Sequence, residues 1–310
     1  MDGLIAAAEA AADAAGAAIR PFFRAGAGAP LGAELKGDLS PVTVADRDAE
    51  RAMRAVLADR CPGHGILGEE LGLERPDARL RWVLDPIDGT RAFITGRPTF
   101  GTLVALLDGE TPLLGVIDQP VTGERWIGAA GRPTRFRGPF GGTAGCRACA
   151  SLDRAELSCT SPEMLDAAET PRWRRLAAAV RRVSWGGDCY AYGLLALGQI
   201  DLVAEGDMKV WDWAALVPVV EGAGGRVTDW EGGALRTPGV TRVLAVGDAA
   251  LLPRAVALMS ADRGPGERHA GPDRALDHVD GQPRLGGEAH PGRHVRRGQA
   301  GEASVQPLGR

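Results

Sequence analysis

Three short stretches of this chain place acidic residues where a strand or helix is expected to begin or end. The first is Arg81-Trp82-Val83-Leu84-Asp85-Pro86-Ile87-Asp88-Gly89-Thr90. Residues 82–84 are an apolar run of strand type. Pro86 biases Asp85 towards extended backbone, so Asp85 is expected to close the strand. Two carboxylates three residues apart at a strand end can grip a hard cation. Gly89 allows a tight turn, and the Gly89 and Thr90 amides, opening a helix, can face an anion. The plainer reading is an acidic turn, since Asp, Pro and Gly are ordinary turn residues. The second stretch, Gly65-Ile66-Leu67-Gly68-Glu69-Glu70, is a short strand ending in two acids that point in different directions. Glu69, directly after Gly68, is the better ligand of the two. The third is Met208-Lys209-Val210-Trp211-Asp212-Trp213, with Asp212 expected at the N-cap of a helix over 214–220. Capping alone would account for about 1 kcal/mol there.

Glu69, Asp85, Asp88 and Asp212 thus offer four oxygen donors from three places, with no His or Cys among them. An all-oxygen set points to Mg²⁺ or a similar hard ion and away from zinc. Two such ions about 3.5–4 Å apart can orient an attacking water and stabilise a leaving oxygen. Phosphate-ester hydrolysis fits this chemistry.

The elements that must position these acids are readable in outline. Residues 3–20 predict an Ala-rich helix ended by Pro21, and 25–41 a Gly- and Ala-rich mobile loop carrying Lys36. Thr43-Val-Ala-Asp46 has the form of a capping box. A helix to about residue 60 follows, with Ala49, Met53, Val56 and Leu57 as its buried stripe. Asp46 then lies in the first turn, where favouring the helix dipole is its simplest role. Strands over 100–107, 113–117 and 125–129 predict an antiparallel meander, and 131–150 reads as loop. Strands at 157–160, 183–185, 201–205, 226–228 and 243–246 alternate with helices at 171–180, 189–197, 214–220 and 248–259. Pro218 is expected to kink its helix.

Composition bounds the rest. The 310 residues are 45% hydrophobic with a net charge of −4, which argues against a general nucleic-acid binder. No apolar run approaches a membrane span, and the N-terminus lacks the early basic residues of a signal peptide, so a cytoplasmic protein is expected. Five scattered cysteines suggest free thiols, and the lone Cys146-Arg-Ala-Cys149 reads as chance spacing rather than a zinc or redox pair. The lone His64 reads as an ordinary turn residue. Of 36 basic residues only Lys36 and Lys209 are lysines, and both lie beside acids. The last 47 residues contain no Ile, Met, Phe, Trp, Tyr, Cys or Lys. They cannot bury enough apolar surface to fold, so residues 1–262 are read as the folded domain and 263–310 as a disordered tail.

Gly68-Glu69-Glu70, Asp85-Pro-Ile-Asp-Gly-Thr90 and Trp211-Asp212, closing on Glu221-Gly-Ala-Gly-Gly225, resemble the inositol-monophosphatase-like, Mg²⁺-dependent phosphatases over residues 1 to about 260. The resemblance implies an α+β fold, the αβαβα layered sandwich of the inositol monophosphatase and fructose-1,6-bisphosphatase type, and a homodimer. It implies that Glu69, Asp85, Asp88, Asp212 and the Ile87 carbonyl hold two or three Mg²⁺ ions. Glu69, Thr90 and Asp46 would be catalytic, the last two positioning the nucleophilic water. The Gly89 and Thr90 amides would hold phosphate. Lys36 would lie near a further, weaker metal, and Glu205 and Arg91 would meet the substrate. Asp88-Gly-Thr-Arg-Ala-Phe-Ile-Thr-Gly96, Gly115-Val-Ile-Asp-Gln-Pro120 and Gly187-Asp-Cys-Tyr-Ala-Tyr192 look closest to the histidinol-phosphate phosphatase branch. Asp188 is acidic where simpler members carry small residues, so with Glu205 it could meet a substrate ammonium or imidazolium. Its plainer role is capping the helix near Cys189. The rivals are an inositol-phosphate, sugar-bisphosphate or 3′-phosphonucleotide phosphatase of the same fold and, more distantly, a silent metal- or phosphoinositide-binding module.

Overall fold

Alanines at 7, 8, 11, 12 and 15 give the first helix, α1 (Asp2–Ile19), a face without bulk, and that face is buried against α2 (Val44–Arg60) and a sheet. The Thr43 hydroxyl accepts from Ala45 N at 3.2 Å, and Asp46 accepts from Thr43 N at 2.8 Å, so the capping box forms. Ala49, Met53 and Leu57 are fully buried, and Val56 packs against them. This computed structural model describes residues 1–25, 34–35, 41–236 and 239–260. Lys36, most of the loop around it and the tail lie outside the described residues.

Two strands, β1 (Glu34–Leu35) and β2 (Pro41–Val42), form a short antiparallel ladder. The next seven, β3 (Gly65–Gly68), β4 (Gly72–Glu74), β5 (Leu80–Asp88), β6 (Gly101–Asp108), β7 (Thr111–Gln119), β8 (Glu124–Ala129) and β9 (Arg132–Arg137), form one sheet in the order β4-β3-β5-β6-β7-β8-β9. Only β3 and β5 pair in parallel, so the carboxyl ends of both strands meet at one edge. The expected meander is present. β9 corrects the loop expected at 131–150: Thr134 is buried, and its hydroxyl donates to Val219 O at 2.7 Å, anchoring an edge strand whose sequence looks too polar.

A second sheet has the order β11-β10-β12-β14-β13, from β10 (Glu156–Cys159), β11 (Arg182–Trp185), β12 (Leu202–Glu205), β13 (Arg226–Thr228) and β14 (Val243–Val246). Between the sheets lie α5 (Asp188–Ala196), α6 (Val210–Trp213) and α7 (Leu216–Gly222). Helices α4 (Glu169–Ala179) and α8 (Leu252–Ser260) cover the outer face, and a short α3 (Thr90–Ile94) follows β5. Strand alternation sorts side chains into these layers. Leu244 and Val246 face α4 and α8, whereas Val243 and Ala245 join the middle layer with Val203. The result is an αβαβα sandwich. The middle helices press directly on the large sheet, for a Cβ on Gly115 would lie 2.0 Å from Ala215 O, and one on Gly128 2.1 Å from Pro218 O.

Pro218 breaks its helix rather than kinking it. It cannot donate to the Ala214 carbonyl, and α6 and α7 separate at residues 214–215. Among the described residues no helix is long and apolar enough to cross a membrane.

Candidate active site

Asp85 does not close β5. The strand runs on through Pro86 to Asp88, with an irregularity in which Asp85 faces Leu103 and Asp88 faces Gly101. Thr102 Oγ1 donates to Pro86 O at 2.8 Å and pins this bulge. Residues three apart in a regular strand point to opposite faces. The extra residue at the bulge turns Ile87 into the α1/α2 layer and brings Asp88 to the same side as Asp85, towards α5 and α6. Asp88 Oδ2 accepts from Cys189 N at 2.6 Å, tying the start of α5 to the end of β5.

Asp212 is the third residue of α6 and not its N-cap. That position belongs to Lys209, whose backbone N donates to Asp212 Oδ2 at 2.6 Å. The Lys209 ammonium turns away to Asp207 at 2.6 Å. One carboxylate oxygen from each of Asp85, Asp88 and Asp212 lies within 4.8 Å of the others. Glu69 stands beside them at the end of β3, its N–H donating to Leu84 O at 3.1 Å.

This crowding has an electrostatic signature. Burial, then Glu69, Asp88 and Asp212, push the Asp85 carboxyl well above the usual range. Burial, then Asp188 and Asp212, do the same to Asp88. Asp212 is pushed up to about 7, by burial first and with Glu69 adding to it. Acids held this close and this dry must take up protons or share a cation. The donor set, all oxygen, suits a hard divalent ion such as Mg²⁺. Thr90 Oγ1 donates to Ile87 O at 3.1 Å and stands 3.5 Å from Asp46 Oδ1. Burial, opposed by the Thr43 hydrogen bonds, brings Asp46 to about 6.

The family model described as the inositol monophosphatase family matches residues 1–261. The chain belongs to this family. Similar proteins include the chloroplastic bifunctional phosphatase IMPL2 of Arabidopsis thaliana, 47% identical over 234 residues. That match spans 75% of this chain and 66% of the plant protein. A histidinol-phosphatase of Mycobacterium tuberculosis is 40% identical over 210 residues, 64% of this chain and 78% of the relative. A solved inositol monophosphatase from Zymomonas mobilis is 48% identical with a TM-score of 0.75, covering 84% of this chain and 98% of that one. Membership places the chain among the phosphoric monoester hydrolases.

Next to the acid cluster of this phosphatase, a cleft of about 520 Å³ is lined in part by Glu69, Gly89, Thr90, Arg91 and Asp188. Gly89 has φ +86°, and a Cβ there would lie 2.7 Å from Asp188 Cγ. Only glycine fits both the turn and that approach. Asp188 shows no helix-capping side-chain bond. Its backbone N donates to Thr160 Oγ1 at 3.0 Å, and its carboxyl, raised to about 7 by burial and Glu205, is eased by Arg97 and Arg91. Arg91 sits at the mouth, paired with Glu163 at 3.3 Å. Glu205, expected at the substrate, lies one layer back. Its carboxylate accepts from Thr160 N at 2.9 Å, from Thr160 Oγ1 at 2.5 Å and from Tyr192 OH at 3.0 Å, at 2% exposure. It reaches the cleft through Thr160. His64 stacks on Trp82, and all five cysteines are free. Burial raises the Cys146 and Cys149 thiols, Cys146 to about 11, which leaves the pair unreactive.

Sequence reasoning missed Glu50 and Arg54. Fully buried on α2, Glu50 accepts from Glu70 N at 2.7 Å, Leu71 N at 3.2 Å and Arg54 Nε at 2.8 Å. Arg54 continues to Gly72 O at 2.5 Å and Glu74 at 2.8 Å. Gly68 approaches Glu50 so closely that a Cβ would sit 1.9 Å from its Oε1. This pair anchors the turn that carries Glu69. The one signal available was local: Glu50 and Arg54 stand four apart on α2, the spacing of an ion pair on a helix. Glu50→Ala is expected to cost about 3–5 kcal/mol of stability, because it leaves buried Arg54 only the partly exposed Glu74 as a counter-charge and takes the acceptor from Glu70 N and Leu71 N. Urea denaturation checks this, and the variant should also need more Mg²⁺ for half-maximal activity.

Proposed function

We propose that this chain is a Mg²⁺-dependent histidinol-phosphate phosphatase, forming histidinol and phosphate in histidine biosynthesis, and acting as a homodimer. A cytoplasmic setting suits its free cysteines. The observation that carries the reading is the cluster of Asp85, Asp88 and Asp212 beside Glu69, which itself lines a cleft shared with Asp188. Here Glu69, Asp85, Asp88, Asp212 and the Ile87 carbonyl would hold two or three Mg²⁺ ions. Bound Mg²⁺ would supply Lewis acidity at the phosphoryl oxygens and a water of lowered pKa. The Gly89 and Thr90 amides, opening α3, face the phosphate. Thr90 Oγ1 orients the attacking water, and Asp46 receives its proton through that hydroxyl. The water oxygen bonds to phosphorus as the ester P–O bond breaks, the leaving alkoxide takes a proton from a solvent water, and Asp46 returns the proton it received to solvent. Asp188, with Glu205 behind Thr160, meets the positive charge of the substrate's amine or imidazole.

The relatives named histidinol-phosphatase support this choice of alcohol. A second reading, inositol 1-phosphate hydrolysis, is favoured by the 48% identity to the Zymomonas mobilis inositol monophosphatase. Phosphate release with Mg²⁺, measured side by side on histidinol phosphate and inositol 1-phosphate, separates the two. A strong preference for histidinol phosphate is expected. The opposite preference would overturn the assignment of Asp188 and leave the metal site standing.

A further inference from the structure

β11 ends on Trp185, which at 47% exposure is among the few large apolar side chains open to solvent in the described residues. Its ring lies 4.9 Å from that of Trp173, tilted by 33°. Trp173 is buried, and its Nε1 donates to Ala204 O at 3.0 Å, so the ring behind Trp185 is fixed. Trp185 lines the same cleft as Glu69, Thr90 and Asp188. Gly186, at φ +86°, donates from its N to Cys159 O at 3.1 Å and to Thr160 O at 3.0 Å. That turn directs Trp185 and Asp188, three residues apart, into one space. Water attack on a phosphate ester uses no indole. An apolar face held open at a ligand cleft is stabilised when a ligand covers it.

Building on the proposed histidinol-phosphate reading, we propose that Trp185 is a specificity-determining residue, its face stacking on the flat imidazole ring of the substrate while Asp188 meets the ring's positive charge. Stacking on indole favours a planar cation in particular. A polyol offers neither a π face nor a charge. Trp185 thereby separates ring-bearing amino alcohols from polyols among phosphate esters that would share the same hydrolytic site.

The test measures kcat/KM of wild type, Trp185→Ala and Trp185→Phe on histidinol phosphate and on glycerol 2-phosphate, which has no ring. Trp185→Ala should lower kcat/KM on histidinol phosphate by about tenfold, mostly through KM. Glycerol 2-phosphate hydrolysis should stay close to wild type, and Trp185→Phe should recover most of the loss. Equal loss on both esters would mean that Trp185 only supports the fold and would overturn the inference, as would no loss on either. Wild-type protein that cleaves inositol 1-phosphate but not histidinol phosphate would instead overturn the substrate reading beneath it.

Discussion

Asp85→Asn is expected to abolish phosphatase activity and at the same time to make the metal-free protein more stable. Asp85 is 2% exposed, and after burial the neighbours that weigh most on it are all acids. The bond that its Oδ1 accepts from Ile87 N at 3.0 Å can be kept by the Asn carbonyl oxygen. The substitution therefore removes a buried, like-charged neighbour without emptying the site. Activity should fall by more than about 100-fold, since displacing even the outer partners of a metal ligand costs about 10–100-fold. The melting temperature in EDTA should rise, and the increment gained on adding Mg²⁺ should shrink. A lower melting temperature in EDTA would mean that Asp85 is held by a partner other than a cation, against the proposed metal site.

Between pH 4 and pH 7 the metal-free protein should lose stability as pH rises, opposite to the behaviour of a protein held by surface ion pairs. Asp212 and Asp188 are each raised to about 7, Asp46 to about 6, and Asp85 and Asp88 well above the usual range. In this window the native state binds more protons than the unfolded chain, so the stability slope with pH is negative. Protonated carboxyls contribute fully below about pH 4, the unfolded value, and that contribution is lost as pH climbs through the folded values near 6–7. The effect should reach a few kcal/mol across the window. Asp2, Asp108, Asp201 and Asp248, all lowered by their partners, act in the reverse sense as pH drops through their folded values, so the scan should stay above about pH 4. Mg²⁺ should stabilise strongly at pH 8 and weakly at pH 5, because it competes with protons for the same oxygens. Thermal melts in EDTA and in Mg²⁺ at each pH would show this. A flat or rising EDTA curve would contradict the cluster's electrostatics.

Local signals carried far in this chain. The strands at 226–228 and 243–246 fall where apolar alternation placed them, and the Thr43 box starts α2. Such features depend on neighbours within a few residues, which a sequence displays directly. The misses share one cause, a long-range partner. β9 exists because Thr134 meets Val219 across the middle layer. Glu50 serves a turn about twenty residues away.

The donor chemistry is legible in the residue types: carboxylates alone, at strand ends and in a helix's first turn, with a glycine and a hydroxyl beside them. Residue type sets charge and hardness, and these are local properties. That the acids share one face and one space follows from the folded chain alone. A regular strand would have sent Asp85 and Asp88 to opposite sides. The bulge held by Thr102 and Pro86, together with the parallel pairing of β3 and β5, turned spacing into a site.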